Sequence, residues 1–142
     1  MKAQTLPGLL ALPLLAPRDL SAPLAWRSGR AISGAQFIGE ALALAQQLPA
    51  AGRPINLCQD RYAFAVGLVA ALLRGQACLM PPNALPDTLE RLRRPDRDTC
   101  ALVDREGCDA GTLPRLVVAH DPTLAPALQQ ASIVADAEAL FL

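Results

Sequence analysis

The run of residues 55–83 constrains the fold more than any other part of this chain. A short apolar segment ending at Cys58 is followed by a long helical pattern, then by Gly75, a second apolar segment at residues 77–80 and a double proline. Parallel strands cannot be joined by a tight turn and need a long crossover, usually a helix. The run therefore predicts a βαβ unit, two parallel strands joined by a right-handed crossover.

The crossover helix has clear boundaries in the sequence. Asp60 can cap its first turn through the side-chain carboxylate, and Gly75 supplies a left-handed stop at its C-terminal end. Apolar residues surround nearly the whole circumference of the helix predicted at residues 61–74, which indicates burial on several sides. The apolar set comprises Phe64, Val66, Leu68, Val69, Leu72 and Leu73.

Before this unit, the pattern predicts a β-hairpin and another helix. Residues 24–32 read as a hairpin whose turn contains Gly29. Ser33 and Gln36 have the spacing of a capping box, and the helix should end at Leu48 because a residue before proline avoids the helical region. Its predicted buried face consists of Phe37, Ile38, Ala41, Leu42, Ala45 and Leu48.

Shorter elements follow the βαβ unit. Pro86 suits the first turn of a short amphipathic helix that ends near residue 94. Apolar runs predict strands at residues 99–103 and 116–118 and a last strand at residues 137–142. The alternation of strands and helices predicts an α/β fold, with a mainly parallel sheet flanked by helices and a small N-terminal hairpin.

We divide the chain into an extended apolar arm, residues 1–23, and an α/β subdomain, residues 24–142. Residues 6–17 loosely imitate a secretory signal, but three prolines and a glycine interrupt them. The basic region before them is the single residue Lys2, whereas a signal needs a basic region and a helical apolar one. We therefore expect an arm that docks on the subdomain of a cytoplasmic protein, with secretion as the alternative.

Composition narrows the range of partners. The 142 residues include 13 Lys+Arg and 13 Asp+Glu, so the net charge is zero and no basic stripe is available for nucleic acid. No segment approaches the uninterrupted apolar length of a membrane span. A neutral chain that is 52% hydrophobic favours self-association unless a partner covers it.

The cysteine and histidine pattern does not suit a metal. Cys58, Cys78, Cys100 and Cys108 form no CxxC pair, and His120 is the single histidine. Structural metal sites need such ligands clustered at short spacing. The first three cysteines lie in or beside apolar strand-like runs, so we expect reduced, buried thiols that behave as small hydrophobic side chains.

Two polar groups permit a functional interpretation beside a structural one. Residues 60–62 (Asp-Arg-Tyr) are either a recognition patch or a helix cap with neighbouring surface side chains. His120 and Asp121 suggest a general base with an orienting carboxylate. However, adjacent residues in an extended chain point in opposite directions, and no Ser or Cys nucleophile lies near them in sequence. We therefore expect an ordinary loop histidine.

Two further features are weaker. Asp104 and Glu106 could form a pair of carboxylates, but a charged turn after a strand explains both. Trp26 lies beside the hairpin turn, where we expect it to be a packing anchor rather than a platform for ring stacking.

The crossover between residues 57 and 62 argues against a nucleotide site at that position. Phosphate-binding crossovers use glycines, so that backbone N–H groups can approach the anion at a helix N-terminus. This crossover has no glycine, and Asp60 places a carboxylate where the phosphate would bind. No GxxxxGK[ST] motif occurs anywhere in the chain.

From about Trp26 onward, the chain resembles the N-terminal part of the adenylate-forming (AMP-binding) ligases, the superfamily of acyl-CoA synthetases, firefly luciferase and peptide-synthetase adenylation domains. The resemblance follows the order of elements: a Gly-Arg hairpin, a helix, a strand with Asn56, a helix rich in Ala and Leu, Gly75, and a strand that ends near Pro81. Residues 56–64 (NLCQDRYAF) further resemble a bacterial subgroup of small acyl- or aryl-activating ligases.

The resemblance implies a parent enzyme that activates a carboxylic acid with ATP and Mg²⁺ and passes it to a thiol of CoA or an acyl carrier protein. The family's diagnostic Ser/Thr/Gly-rich phosphate loop follows an apolar strand like residues 139–142, so we expect this chain to stop before that loop. We assign no catalytic, cofactor-binding or metal-binding residue and expect no cofactor in this chain. Its implied partner is the remainder of the ligase or a self-associating copy.

The alternative is a stand-alone α/β interaction or dimerisation module without catalysis.

Overall fold

The computed structural model describes residues 11–16, 19–94 and 98–134. The predicted strand at residues 137–142 and most of the predicted arm lie outside these residues. The strands are β1 Ala11–Pro13, β2 Pro23–Arg27, β3 Arg30–Ser33, β4 Ile55–Asn56, β5 Ala101–Val103, β6 Arg115–Val117 and β7 Ser132–Val134. The helices are α1 Gly34–Gln47, α2 Arg61–Leu73 and α3 Pro86–Leu92. The predicted α/β class is confirmed.

A parallel sheet in the order β4-β5-β6 forms the centre of the described residues. Ile55 pairs with Ala101, and Leu102 pairs with Leu116. The strand predicted at residues 77–80 is reduced to a single parallel bridge between Leu79 and Ile55. Prolines follow at once and cannot donate to a strand ladder. The predicted parallel βαβ pair is therefore present, but its second strand is minimal.

The sheet separates two apolar layers. At β5, the side chains of Leu102 and of Cys100, the residue just before the strand, face the layer that contains α1 and α2, whereas Ala101 and Val103 face the layer that contains α3. This alternation is the two-residue period of a strand. Every β5 residue is fully buried, as expected of a strand covered on both faces.

Helix α1 begins and ends where the sequence predicts. The Ser33 hydroxyl accepts the Gln36 N–H and the Gln36 side chain accepts the Ser33 N–H, so the capping box is confirmed. Most of the predicted face is buried, but Leu42 is 39% exposed, and that part of the prediction is wrong. Leu42 lies at the margin of the stripe, and Leu44 is buried instead.

Helix α2 packs most closely through small residues. Ala63, Val66, Gly67, Ala70 and Ala71 are buried, while the larger apolar side chains predicted for burial, apart from Val66, are only partly buried. The helix comes near the sheet at Gly67, where an added Cβ would lie 2.9 Å from Leu102 Cδ1 and 3.1 Å from Asn56 Nδ2. Gly75 adopts φ +64° beyond the helix end, so the predicted glycine stop is confirmed.

Two antiparallel pairs lie outside the central sheet. β2 and β3 form the predicted hairpin, with Ser28 and Gly29 both at positive φ in the turn. β1 pairs with β7, and the Leu14 N–H donates to the Ala131 carbonyl at 2.7 Å. Leu14 and Leu15 pack against the core beside α1 and α2. Among the described residues, no helix is long and apolar enough to span a membrane.

Trp26 contradicts the prediction of a packing anchor. Its side chain on β2 is 70% exposed. Strand side chains alternate between the two faces of a hairpin, and the flanking residues Ala25 and Arg27 take the half-buried face. Leu24 reaches the core because the register of the β2–β3 pair shifts between Pro23 and Ala25. The hairpin therefore presents its single tryptophan to solvent.

Candidate functional site

Most of the polar groups singled out from the sequence lie at the carboxyl ends of the parallel strands. Asp60 follows β4, Asp104 follows β5 and His120 follows β6. In open α/β sheets, ligands bind at this edge because loops from neighbouring strands converge there. We therefore take this edge as the candidate functional site.

Asp104 holds the β4–α2 crossover in place. Its Oδ2 accepts the backbone N–H of Gln59 at 2.7 Å and that of Asp60 at 2.6 Å. These hydrogen bonds, above all the one from Asp60, keep the pKa of the Asp104 carboxyl below its usual value. Glu106 is exposed and does not share this site, so the charged-turn interpretation holds and the two residues form no carboxylate pair.

Asp60 occupies the N-terminus of α2, as the sequence predicts. Its Oδ2 accepts the Ala63 N–H at 2.9 Å and forms a 2.6 Å ion pair with Arg27 Nη1. The Ala63 hydrogen bond, followed by the contact with Arg27, lowers the pKa of Asp60. Arg61 is exposed while Tyr62 turns inward, so residues 60–62 do not form a common patch.

Glu40 is the functional candidate that the sequence analysis missed. It is 6% exposed in the middle of α1, and its carboxylate accepts hydrogen bonds from the Tyr62 hydroxyl, from His120 Nδ1 and from the Asp121 N–H. A signal was available: Glu40 lies three residues after Phe37 and four before Leu44, on the buried stripe of the helix. A charged residue on such a stripe requires buried partners.

Tyr62 contacts both Glu40 and His120: its hydroxyl donates to the Glu40 carboxylate, and its ring packs against the imidazole. Burial, together with the bond to Glu40, raises the pKa of the Tyr62 hydroxyl, which therefore stays protonated and donates. Its ring meets Phe37 edge-on at a centroid distance of 5.9 Å and His120 edge-on at 5.6 Å. These aromatic contacts fix the plane of the His120 ring against α1 and α2.

His120 is paired with Glu40 and not with its sequence neighbour. Its Nδ1 lies 3.0 Å from Glu40 Oε1 and 3.1 Å from Oε2. The Asp121 carboxylate instead accepts the N–H and hydroxyl of Thr123, the hydroxyl contact being the first cause of its lowered pKa. As predicted, Asp121 does not orient His120. The prediction of an ordinary loop histidine is wrong, because His120 pairs with Glu40, which is 80 residues away in the sequence.

The three buried cysteines offer no nucleophile at this edge. Cys58, Cys78 and Cys100 are buried free thiols, as predicted, and burial raises the pKa of Cys58 and Cys78 to about 12 and that of Cys100 to about 11. Cys108 is half-buried, with its sulfur 3.7 Å from Asp104 Oδ1. In residues 11–16, 19–94 and 98–134, no group of His, Cys, Asp and Glu side chains is arranged to hold a metal ion.

Comparison with known proteins identifies the fold. No protein-family model matches the chain, and no curated protein does. A solved structure does match: a malonyl-CoA ligase ternary product complex with methylmalonyl-CoA and AMP bound, with a TM-score of 0.58 and 20% sequence identity. The match covers 82% of this chain but 25% of the solved chain. The chain therefore has the fold of part of this ligase, in agreement with the resemblance seen in its sequence, and spans about a quarter of the ligase's length.

Proposed function

We propose that this chain is the N-terminal scaffold subdomain of an AMP-forming ligase that joins a carboxylic acid to a thiol. The observation that carries the proposal is the match of 82% of the chain to one quarter of a malonyl-CoA ligase. This chain's part of the fold is a parallel sheet in the order β4-β5-β6 with helices on both faces. In this role the sheet supports one wall of the acyl pocket, and the surface packs on the remainder of the enzyme.

The reaction of the complete ligase has two steps. A carboxylate oxygen of the acid attacks the α-phosphorus of ATP, giving an acyl-adenylate and pyrophosphate. The acceptor thiol, from CoA or a carrier protein, then attacks the acyl carbon and releases AMP. Both steps come from the family resemblance, and neither is assigned to a residue of this chain.

The described residues do not fit ATP and Mg²⁺ at the crossover where such a fold would first offer a phosphate site. The Asp60 carboxylate takes the Ala63 N–H at the α2 N-terminus, and the Asp104 carboxylate takes the N–H groups of Gln59 and Asp60. Two carboxylates at these donors repel a triphosphate. We therefore derive no nucleotide step from this chain and place ATP and Mg²⁺ in the remainder of the ligase.

Acid-dependent exchange of pyrophosphate into ATP tests the proposal. We expect the isolated chain to give no exchange with a panel of acyl and aryl acids and to show no tight ATP binding by calorimetry. Exchange by the pure chain would overturn the scaffold role.

The native gene provides the second half of the test. Its reading frame should continue past the Leu142 codon into a Ser/Thr/Gly-rich loop followed by a lysine, and the longer protein should catalyse the exchange. A longer protein that is inactive with every acid in the panel would overturn the ligase assignment, and so would an intact gene that stops after Leu142.

A stand-alone interaction module is the second candidate, and the exposed Trp26 favours it. Tryptophan is enriched at the centres of protein interfaces, and this one is 70% exposed on a hairpin. A homogeneous oligomer of the pure chain in analytical ultracentrifugation, lost on Trp26→Ala, would support this candidate. A monomer would favour the scaffold role.

The remaining expectations belong to the ligase proposal. They are a cytoplasmic location, CoA or a carrier protein as the thiol acceptor, and no nucleic-acid partner, for which the balanced charge of the chain gives no electrostatic footprint.

A further inference from the structure

His120 has one ring nitrogen engaged and the other open. Nδ1 contacts both carboxylate oxygens of Glu40, while no hydrogen bond joins Nε2 to any residue of the described segments. Nε2 is also absent from the buried polar atoms of these segments that lack a partner, which are Gln76 Oε1 and Thr99 Oγ1. The imidazole is 18% exposed, and Nε2 is therefore in contact with solvent.

The hydrogen bonds to Glu40 decide which nitrogen carries the proton. Glu40 accepts from Tyr62 and from the Asp121 N–H, and an ionised carboxylate has no proton to donate. The proton in the 3.0 Å contact must therefore come from His120 Nδ1. In the neutral ring, Nε2 is then a free acceptor with its lone pair directed away from Glu40.

The side chains around the ring are acidic or neutral. Glu40 faces the ring from α1 and stabilises the imidazolium that forms when Nε2 is protonated, as an orienting carboxylate does in hydrolase triads. Tyr62 faces it from α2 and is neutral, and Asp121 lies beside it in the same loop. The local charge is therefore negative, which disfavours an anionic ligand and favours a neutral hydrogen donor.

We propose that Glu40 and His120 form a carboxylate–imidazole dyad whose Nε2 binds a neutral thiol and accepts its proton. In that step the S–H bond breaks, an N–H bond forms at Nε2, and the resulting thiolate faces an imidazolium paired with Glu40. A thiol suits this acceptor better than an alcohol, because an S–H group, with a pKa of about 8.5, gives up its proton far more readily than an alcohol O–H. The inference rests on the dyad alone and does not require the ligase assignment.

Nuclear magnetic resonance of the full chain provides the test, because the single histidine gives a single pair of imidazole nitrogen signals. We expect the nitrogen shifts to report a proton on Nδ1 and a bare Nε2 in the neutral ring. Addition of N-acetylcysteamine, a small neutral thiol, should move the Nε2 signal saturably towards its protonated position. The S-methyl thioether of the same compound, which has no S–H, should leave it in place.

Two variants show whether the movement of the Nε2 signal depends on the Glu40–His120 dyad or on a general effect of the added compound. Glu40→Gln keeps a carbonyl acceptor and the approximate side-chain shape but removes the charge, and it should lose the thiol response. Glu106→Gln removes an exposed carboxylate from the turn after β5 and should retain the response. A proton on Nε2 in the unliganded chain would overturn the proposal, as would equal shifts with the thiol and the thioether. If Glu40→Gln does not fold, the tautomer and the thioether comparison in the unaltered chain decide the question.

Discussion

The Asp104 carboxylate at the end of β5 accepts the backbone N–H of Asp60 at 2.6 Å, across 44 positions of sequence. Asp60 in turn accepts the Ala63 N–H and pairs with Arg27. One carboxylate thus holds the crossover after β4, and the next carboxylate caps the helix that follows. The carboxyl edge of the sheet is built by these two acidic residues, and its stability depends on their ionised forms.

The lowered pKa of Asp104 predicts a loss of stability in acid. Because the folded pKa lies below the unfolded value, the unfolded chain binds more protons, and the stabilisation present above about pH 4 disappears as the pH falls through the folded pKa. Urea denaturation at a series of pH values should show this decline. Asp104→Asn should be less stable at neutral pH and should show a shallower decline in acid.

The matched control is Glu106→Gln, since the Glu106 side chain makes no hydrogen bond or ion pair in the described residues. Its pH profile should follow that of the unaltered chain. Equal slopes for the unaltered chain and Asp104→Asn would contradict the role given to Asp104.

Removal of the Glu40 carboxylate should lower the free energy of unfolding far more than removal of a surface side chain. Glu40→Ala leaves Tyr62, His120 and the Asp121 N–H without their acceptor in a buried site. We expect a loss of roughly 3 kcal/mol or more in the free energy of unfolding. Glu40→Gln keeps one acceptor oxygen and should lose less stability. Gln47→Ala, at the exposed end of α1, should change the free energy of unfolding by less than about 0.5 kcal/mol.

Urea denaturation followed by circular dichroism measures all three variants. A Glu40→Ala variant as stable as Gln47→Ala would show that the hydrogen-bond cluster contributes no net stability.

Thiol labelling should separate Cys108 from the other cysteines. Burial raises the pKa of Cys58, Cys78 and Cys100 to about 11 or 12, so their reactive thiolate forms are scarce at neutral pH. Brief treatment of the native chain with iodoacetamide should label Cys108 first, whereas all 4 cysteines should react in denaturant. Mass spectrometry of digests locates the labels. Rapid native labelling of Cys100 would mean that the sheet opens readily at β5.

Truncation of Trp26 should leave the fold intact. With its side chain 70% exposed, Trp26→Ala should change the free energy of unfolding by less than about 0.5 kcal/mol, whereas a buried anchor would cost about 3–5 kcal/mol. Leu44→Ala, a truncation in the core, is the positive control and should cost about 2–5 kcal/mol. A Trp26→Ala loss comparable to that of Leu44→Ala would mean that the indole packs against the domain.

Local signals in the sequence were enough for most of the secondary structure. The Ser33–Gln36 capping box, the Asp60 cap and the Gly75 stop are all present. Each depends on residues within a few positions of one another, so short-range chemistry determines it. The parallel β4–α2 crossover was predictable for the same reason, because its helix and flanking apolar segments leave little choice of topology.

Local sequence signals did not predict the candidate site. Glu40, Tyr62 and His120 lie on three separate elements, and each has an ordinary local interpretation: a helix residue, a residue beside a cap and a loop histidine. The packing of α1 against α2, followed by the return of the chain after β6, brings them within hydrogen-bond distance. A search for charged residues on apolar helix stripes would have found Glu40, but not its partners.

The sequence by itself therefore determined the order of the elements, the boundaries of α1 and α2, the parallel crossover and the carboxylate at the α2 N-terminus. Tertiary structure alone decided that Glu40 meets His120 across 80 positions, that Asp104 binds the backbone at Asp60, and that Trp26 faces solvent. The physical reason is the distance along the chain over which each interaction acts. Caps, turns and periodicity are fixed by neighbouring residues, whereas a buried charge finds its partners only when distant elements have packed together.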